Sequence, residues 1–296
     1  MRRVLQAYAR SVFALVLLQF TAQRMLAQII IRSEPSAPVR GALVRLVATA
    51  AGLDLPANIS GSAAGEPLHF IRRDSITWTA LAGVPIEGGD SLTVELRISR
   101  HGAHSVDSTE AWIRVLPSRA ASERLRVPPS KITLTKALQQ RVDREIEQAH
   151  AIGRRAHATP PLWTEPFSRP RASRITSDFG TSRVYNGAVA SRHLGTDFAG
   201  KVGDSVFAAN RGVVAAIGHF YLAGNVIYLD HGAGLTTAYF HLSRTFVSEG
   251  DTVSKGQPIG AVGKTGRVTG PHLHWSVRYG IVPVDPMSLV EIGGRW

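Results

Sequence analysis

The sequence contains no cysteine among its 296 residues. This absence excludes disulfide bonds, thiol nucleophiles and metal or iron–sulfur centres held by cysteine thiolates. Any metal ion must therefore be bound by histidine, aspartate or glutamate side chains. Hydrophobic residues make up 44% of the chain, which is enough for a core, and the length suggests about two domains.

The apolar run near the N-terminus is too short to span a membrane. Residues 11–23 follow Arg2 and Arg3, and as a helix they would cover about 20 Å of a hydrocarbon core that is ~30 Å thick. A basic start before a short apolar run is typical of a secretory signal peptide, which we predict over residues 1–27. The bulky Met25 near the expected cleavage site leaves an uncleaved signal anchor as the alternative. No stable membrane span is expected, and the protein is expected in the periplasm or outside the cell.

Acidic residues are few compared with basic ones, and the formal net charge is +12. Residues 1–27 contain four arginines and no acid, which leaves +8 for the rest of the chain. A basic surface favours anionic partners such as nucleic acid, a carboxylate-rich cell wall or an anionic membrane surface. The chain has neither a long Lys/Arg tract nor a recognised nucleic-acid-binding motif, so no nucleic-acid partner is predicted. A generally basic, solvated surface explains the charge equally well.

A β-domain is predicted over residues 28–118, because short runs of β-branched residues alternate there with turn signals. The candidate strands are residues 28–32, 42–48, 75–80, 91–99 and 111–116. This pattern is typical of a small β-sandwich that positions the next domain or contacts a substrate. The histidines of this segment, His69, His101 and His104, are isolated and are interpreted as surface or loop residues.

A connector over residues 119–164 is predicted to contain one helix, at about residues 133–153. Apolar residues recur there at helical spacing. Thr133 or Thr135 is expected to cap the start of the helix, and Gly153 is expected to end it. The apolar stripe is interpreted as a packing face.

Residues 165–296 are predicted to form an antiparallel β-domain with almost no helix. Glycines recur there between short β-rich runs, and one pattern occurs twice. A Gly-Asp-x-Val turn precedes a glycine-flanked apolar strand at residues 203–218 and, 47 residues later, at residues 250–263. The predicted fold class is therefore mainly β, with a duplicated motif in the C-terminal domain.

Two polar motifs in this domain predict a shared site. His272 and His274 flank a leucine in a run of β-formers, so in a strand both side chains would point to one face, about 7 Å apart at the backbone. His193 and Asp197 lie on either side of Gly195. In a straight strand they would be about 13 Å apart, too far to share a metal ion, so a turn permitted by the glycine must bring them together.

A catalytic zinc site usually has three protein ligands and one open position for water. His193, Asp197 and one histidine of the pair His272 and His274 would supply that set. The other histidine of the pair, together with His241, would then lie near the metal and could transfer protons close to neutral pH. No His-Glu-x-x-His helix provides a glutamate base, and the sequence has neither a Gly-x-Ser-x-Gly nor a Ser-x-x-Lys motif.

These motifs resemble those of the LytM/lysostaphin-type zinc endopeptidases, the M23 peptidase family, which cleave peptide bonds in bacterial peptidoglycan. The matching segments are His-x-Gly-x-Asp at residues 193–197, Tyr-x-His-Leu-Ser at 239–243 and Gly-Pro-His-Leu-His at 270–274. The resemblance covers about residues 165–288. The β-rich region and helix that precede it also resemble those of periplasmic members from Gram-negative bacteria.

The resemblance implies that His193, Asp197 and His274 bind one zinc ion per chain. It also implies that His241 and His272 are the catalytic pair, leaving open which one acts as general base and which one stabilises the oxyanion. All five residues are present in the sequence. The implied activity is that of a metalloendopeptidase that hydrolyses a peptide cross-link or stem peptide.

Arg183, Asn186 and Tyr239 are candidate substrate-binding residues. Arg183 and Asn186 lie in the loop before the first predicted ligand, where a plain polar loop is an equal alternative. Peptidoglycan is the expected partner, through a D-alanine–diaminopimelate cross-link or, as the family's other known target, a glycine bridge. Cell-wall or envelope proteins are further candidate partners.

Two binding functions are alternatives to an enzyme. Some proteins with this domain are non-catalytic regulators of other wall hydrolases, but those typically lack metal ligands that this chain keeps. Residues 250–256 also resemble the hairpins of biotinyl or lipoyl carrier domains, with Lys255 in the turn, although the carrier motif around the modified lysine is missing. A purely structural role for the glycines and histidines would require several independent spacings to coincide.

Overall fold

The structure is a computed structural model that describes residues 28–52, 55–100, 106–118, 120–125, 134–185 and 189–292. The predicted signal peptide at residues 1–27 lies outside the described residues. Within those ranges the fold is mainly β with two helices, which confirms the predicted fold class. Neither of these helices combines the length and the apolar character needed to cross a membrane.

The N-terminal part of the described chain contains eight strands. They are β1 (Gln28–Glu34), β2 (Leu43–Ala51), β3 (Pro56–Ala63), β4 (Glu66–Leu68), β5 (Ile71–Arg72), β6 (Thr77–Gly83), β7 (Ser91–Arg100) and β8 (Val106–Arg114). They form two antiparallel sheets with the orders β1-β2-β6-β5 and β4-β3-β7-β8. Along β7 the side chains alternate between exposed and buried, so that Leu92, Val94 and Leu96 face the core, as the strand period of two requires.

The five strands predicted for this region correspond to β1, β2, β6, β7 and β8, although β8 begins at Val106, earlier than predicted. Strand β3 is not predicted, because its alanine, asparagine, glycine and serine residues are weak strand formers. It forms because it pairs along its length with β7, so that tertiary pairing overrides local propensity. The domain boundary at residue 118 stays a prediction.

The connector contains the strand β9 (Ser122–Leu125) and the helix α1 (Lys136–Ala156). The Thr135 hydroxyl accepts a hydrogen bond from the Leu138 backbone N–H at 3.3 Å, so Thr135 is the N-cap.

The prediction that α1 ends at Gly153 is wrong, since the helix continues to Ala156. Gly153 is buried inside the helix, where a Cβ would lie 2.0 Å from the carbonyl oxygen of Gly280. This glycine therefore serves a close approach of helix and sheet rather than a helix end.

The C-terminal part contains twelve strands and one short helix within the described residues. They are β10 (Ile175–Ser177), β11 (Ser182–Tyr185), β12 (Val189–Arg192), β13 (Thr196–Ala199), β14 (Ser205–Phe207), β15 (Gly212–Phe220), β16 (Gly224–Gly232), β17 (Leu235–Thr245), β18 (Thr252–Val253), β19 (Pro258–Val262), β20 (His272–Tyr279), β21 (Val282–Val284) and α2 (Pro286–Ile292). Most belong to one sheet with the order β10-β13-β20-β17-β16-β15-β18, to which β14, β19 and β21 are attached. A smaller sheet has the order β12-β11-β9.

The duplicated motif of the sequence forms two pairs of strands. The first copy gives β14 and β15, and the second gives β18 and β19. The copies pair crosswise, β14 with β19 and β15 with β18.

The large sheet has one face in the core and one face that carries polar side chains. On β20, Leu273, Trp275 and Val277 are fully buried, and the alternate residues His272 and His274 point to the opposite face. The register places Asp197 of β13 and Phe240 of β17 on either side of His274. We call the side that bears these residues the site face.

Helix α1 packs on the site face, over β15, β16 and β17. Ala149 and Ile152 of the helix share an apolar cluster with Val226, Tyr228 and Ala238 of the sheet. The helix therefore covers one part of the site face, and the histidines occupy the adjoining part.

Candidate metal and catalytic site

The three predicted metal ligands converge on one point. His193 Nε2, Asp197 Oδ1 and His274 Nδ1 are separated from one another by 2.9 to 3.0 Å. Two ligands that are each about 2.0 Å from a tetrahedral zinc ion are expected to be roughly 3.3 Å apart, so a small adjustment suffices. This group could hold a metal ion.

The site forms because paired strands bring distant residues together. Asp197 lies directly opposite His274 in the β13–β20 pair, and His193 comes from the segment between β12 and β13. The backbone of Gly195 passes close to His274, where a Cβ would lie 2.4 Å from His274 Nε2 and 2.7 Å from the carbonyl oxygen of Trp275. The φ angle of Gly195 is not in the left-handed region, so the site needs this glycine for space rather than for a special backbone angle.

Hydrogen bonds define which nitrogen of His193 faces the centre. His193 Nδ1 lies 3.0 Å from the carbonyl oxygen of Asp178. Because a carbonyl oxygen can only accept, Nδ1 donates its hydrogen there and Nε2 presents a lone pair to the centre.

The charge of the group suits a divalent cation. Burial raises the pKa of Asp197, but the contacts with His193 and His274 outweigh this effect and hold the pKa well below its ordinary range, so the carboxylate is ionised. Burial is the main cause that lowers the pKa of His274, so this imidazole is neutral at pH 7. Neutral imidazoles and a carboxylate whose acceptor atoms converge are a ligand set that fits zinc and related metals.

The two other predicted histidines lie beside this group. The rings of His241 and His272 have centroids 4.9 Å apart, and the ring of His241 is 5.9 Å from that of His274. His272 Nε2 lies 3.7 Å from Asp197 Oδ1. The structure therefore brings together all five residues of the predicted metal and catalytic set.

Both of these histidines donate a hydrogen bond from Nδ1. His241 Nδ1 donates to the carbonyl oxygen of Thr265 at 2.9 Å, and His272 Nδ1 donates to that of Gly270 at 2.9 Å. In the neutral form, each Nε2 consequently carries a lone pair that can accept a proton or a hydrogen bond.

His241 has an unusual environment and an unusual backbone. Burial is the first cause, and the neighbouring His274 and His272 the next, that lower its pKa to about 3. Its φ angle is +63°, in the left-handed region that residues with a side chain rarely adopt. Such a conformation costs about 1–3 kcal/mol and persists only where the surrounding structure holds it, as at many functional sites.

Tyr239, a predicted substrate-binding residue, is fully buried in the core. Its hydroxyl accepts a hydrogen bond from the Ala209 backbone N–H at 2.9 Å and lies 3.1 Å from Thr237 Oγ1. It therefore offers no surface to a substrate, and this prediction is corrected to a role in packing. In a regular strand Tyr239 and His241 would share a face, but the left-handed backbone at His241 breaks the alternation.

The two remaining candidates for substrate binding stay predictions. Arg183 lies on β11, in the small sheet that leads into His193. Asn186 lies outside the described residues.

The structure also shows a contact that the sequence does not predict. The ring of Phe240 stacks on the imidazole of His274, with centroids 5.0 Å apart and planes inclined by 10°. In the sequence, only the position of Phe240 next to His241 indicates that it lies near the site, and this signal is weak. The contact with His274 depends on the register of β17 and β20, which the sequence does not show.

Comparisons with known proteins agree with this geometry. Residues 191–286 match the model of peptidase family M23. Peptidoglycan DD-endopeptidase ShyA of Vibrio cholerae serotype O1 is 43% identical over 118 residues, which are 39% of this chain and 27% of the relative. DD-carboxypeptidase/endopeptidase Mpg of Neisseria meningitidis serogroup B is 39% identical over 117 residues, or 40% of this chain and 27% of the relative. The chain thus spans about a quarter of the length of these curated relatives.

One solved structure is similar over most of the chain. It is a crystal structure from Pseudomonas aeruginosa, described as a peptidase M23, with a TM-score of 0.63 and 26% sequence identity. The similarity covers 86% of this chain and 95% of that chain, so it extends into the strands that precede α1.

Proposed function

Because residues 191–286 of this chain form a peptidase M23 domain, we propose that the protein is a zinc-dependent endopeptidase that hydrolyses peptide bonds in peptidoglycan. The observation that carries this proposal is the convergence of His193, Asp197 and His274, with two further histidines beside them. ShyA is named a DD-endopeptidase, which supports a cross-link such as D-alanine–diaminopimelate as the bond cleaved. Because peptidoglycan lies outside the cytoplasmic membrane, this substrate implies that the protein is located there.

The residues that would hold the metal are His193 through Nε2, Asp197 through Oδ1 and His274 through Nδ1. When bound there, a zinc ion supplies Lewis-acid activation of water and of the scissile carbonyl group. Three protein ligands are the number that a catalytic zinc site usually has. A non-catalytic regulator is the less favoured function, because the chain keeps the complete ligand set.

His241 would orient the attacking water. Its pKa of about 3 keeps the imidazole neutral at pH 7. The Nδ1–H is committed to Thr265, so Nε2 accepts a hydrogen bond from the water. A fixed acceptor beside the reacting atoms lowers the entropic cost of reaching the transition state.

His272 would carry the proton. Its Nε2 lies 3.7 Å from the Asp197 carboxylate, at the edge of the proposed ligand group. His272 is also more exposed than His241, so a leaving amine can reach it. We assign to His272 Nε2 the transfer of the proton from water to the leaving nitrogen, which balances the hydrolysis.

A direct test uses purified protein and peptidoglycan sacculi. Soluble fragments released by the protein are identified by mass spectrometry, with and without a zinc chelator. The proposal predicts chelator-sensitive fragments in which a cross-linking peptide bond has gained one water. Zinc-loaded protein that releases no such fragment would contradict the proposal.

A further inference from the structure

Helix α1 holds the turn between β15 and β16 through several polar contacts. The Glu145 carboxylate accepts a hydrogen bond from the Tyr221 backbone N–H at 2.8 Å. Arg141 donates to the carbonyl oxygen of His219 at 2.9 Å and lies 5.9 Å from the centre of the Tyr221 ring. Glu145 and Arg141 also pair with each other at 2.7 Å, and the Glu145 side chain is only 13% exposed. The turn is thus fixed to the helix by a partly buried ion pair.

The same turn contacts His241 by two routes. The carbonyl oxygen of Ala223 accepts a hydrogen bond from the His241 backbone N–H at 2.8 Å. The carbonyl oxygen of Leu222 accepts one from the Arg267 backbone N–H at 2.9 Å. Arg267 belongs to the loop that also contains Thr265, whose carbonyl oxygen accepts the hydrogen of His241 Nδ1. Both the backbone and the ring of His241 are therefore tied to this turn.

The packing between turn and loop leaves little space for adjustment. A Cβ on Gly224 would lie 2.3 Å from Thr265 Oγ1. The Asn225 backbone N–H donates to that same hydroxyl at 2.9 Å, and the hydroxyl donates to the carbonyl oxygen of Leu242 at 2.9 Å. A displacement of the turn would consequently move the loop and His241 with it.

The backbone of His241 makes this support necessary. A φ angle of +63° is unfavourable for histidine, so the residue keeps it only while its neighbours constrain it. The hydrogen bond from its backbone N–H to Ala223 is one such constraint. The turn that supplies it is held from outside by α1.

We propose that α1 is a positioning element of the active site and that Glu145 is its positioning residue, which holds residues 221–223 and through them His241. The inference rests on the proposed function, since it concerns the histidine that orients the attacking water. Helix α1 precedes residues 191–286, the part that matches the peptidase family. Full activity accordingly depends on the connector as well as on the peptidase domain.

The test compares three variants in the zinc-loaded, full chain. Glu145→Ala removes the acceptor for the Tyr221 N–H, whereas Glu145→Gln keeps an oxygen acceptor there. Glu147→Ala is the matched control, because Glu147 lies on the same helix, is 64% exposed and pairs with Arg154. Thermal unfolding of each variant verifies that it is folded at the assay temperature.

We expect Glu145→Ala to lower kcat by about 10- to 100-fold with little change in KM, as is typical when a catalytic group is displaced by a fraction of an ångström to an ångström. Glu145→Gln should restore most of kcat, and Glu147→Ala should equal the wild type. Zinc affinity should be the same in all four proteins, since Glu145 contacts none of the ligands. Equal kcat values for Glu145→Ala and Glu147→Ala, or equal losses for Glu145→Ala and Glu145→Gln, would overturn the proposal.

A second measurement does not depend on cleavage. The ¹⁵N chemical shifts of the His241 imidazole report its hydrogen bonds and tautomer, and a His241→Asn variant assigns them. They should change in Glu145→Ala and stay unchanged in Glu147→Ala. Identical shifts in both variants would contradict the positioning role, whether or not the wild type cleaves peptidoglycan. A wild type that cleaves no peptidoglycan would refute only the proposed function.

Discussion

Phe240 supports the imidazole of His274 by stacking on it. The two rings are nearly parallel, and Phe240 in turn contacts Tyr228, whose ring centroid is 5.9 Å away. Tyr228 belongs to the apolar cluster beneath α1. The orientation of His274, a proposed metal ligand, is thus connected to the packing of the helix on the site face.

We therefore expect Phe240→Ala to weaken zinc binding by about 10- to 100-fold, the usual effect of removing a residue that orients a ligand. Phe220→Ala is the control, because the Phe220 ring also contacts Tyr228, with centroids 6.0 Å apart, and does not stack on His274. Competition with a chromophoric chelator measures both affinities. Equal zinc affinities in the two variants would show that the stacking does not matter.

The roles of the proposed catalytic histidines should be separable from those of the proposed metal ligands. His241→Ala and His272→Ala are each expected to lower hydrolysis by about 10²- to 10⁴-fold, the usual range for a general acid–base group. Both variants should retain bound zinc, whereas His193→Ala should lose it. Metal analysis and fragment release from sacculi measure the two properties. Loss of zinc from His241→Ala would assign that residue to the ligand set instead.

At the residue scale, the spacings in the sequence indicate that His193, Asp197 and one histidine of the pair His272 and His274 could share a metal ion. Only the resemblance to the M23 family selects His274 from that pair. The sequence does not predict why Gly195 is required, since the close approach to His274 arises only from the pairing of β13 with β20. It also misplaces Tyr239, because the left-handed backbone at His241 is not visible in a strand-like pattern.

At the scale of elements, α1 approaches the sheet more closely than an ordinary side chain would allow. Gly153 is buried in the helix, and its backbone lies against the carbonyl of Gly280 in the β20–β21 turn. The sequence predicts that the helix ends at Gly153, because glycine commonly ends helices. The prediction is wrong because Gly153 instead allows the helix and the sheet to pack closely. The existence of α1 is predicted from local periodicity, and Thr135 is one of the two N-caps that the sequence predicts.

Gly153→Ala is consequently expected to lower stability. In an exposed helix the change would stabilise the protein by about 0.5–1 kcal/mol, but here the methyl group would overlap Gly280, and overpacking costs about 1–3 kcal/mol. Gly89→Ala is the control, because the nearest atom to a Cβ there is 4.0 Å away. Chemical denaturation compares the two variants, and a Gly153→Ala protein as stable as the wild type would contradict the close approach.

At the scale of the whole molecule, a partly buried series of polar contacts connects the N-terminal sheets, the end of α1 and the large sheet. His69 Nε2 lies 2.8 Å from His157 Nδ1, and His157 Nε2 lies 2.8 Å from the Glu66 carboxylate. Glu66 also accepts a hydrogen bond from the Ile281 backbone N–H at 3.0 Å. His69 lies in the loop between β4 and β5, as one of the predicted alternatives has it, but it is not isolated. Its partner His157 is 88 residues away in the sequence.

The protonation states of Glu66 and His69 favour the folded protein at neutral pH. Burial raises the pKa of Glu66, but the hydrogen bonds from His157 and Ile281 outweigh it and hold the pKa below its ordinary value of 4.5. Burial, and next the charge of His157, lower the pKa of His69 below its ordinary 6.5. Both groups bind fewer protons in the folded state than in the unfolded state. Their contribution to stability is thus complete above pH 6.5. As the pH falls, the contribution of His69 decreases first, when His69 is protonated, and that of Glu66 is lost below pH 4.5, when its carboxylate is protonated.

Glu66→Gln should reveal the second of these steps. We expect the variant to lose about 1–3 kcal/mol of stability at pH 7, the cost of disrupting a buried charged hydrogen-bond partner. The difference from the wild type should then shrink as the pH falls below 4.5, because the wild-type carboxylate becomes protonated. Denaturation curves at several pH values measure this, and a difference that is independent of pH would contradict the assignment.

The sequence indicates the mainly β fold at this scale because β-branched runs and turn signals recur throughout. It does not indicate how the parts are joined, since contacts such as Glu66 with Ile281 connect residues 215 positions apart. The sequence likewise does not indicate that α1 packs on the site face. Long-range packing and strand register, rather than local propensity, determine both.

The most direct test of a zinc-dependent endopeptidase is the rate of peptide release from sacculi as zinc is returned to chelator-stripped protein. We expect no release without metal and a rate that rises until about one zinc ion is bound per chain. The site formed by His193, Asp197 and His274 would then hold the ion, and His241 and His272 would act beside it in the hydrolysis. Release that persists in the stripped protein, or that is absent at full zinc loading, would contradict the proposed function.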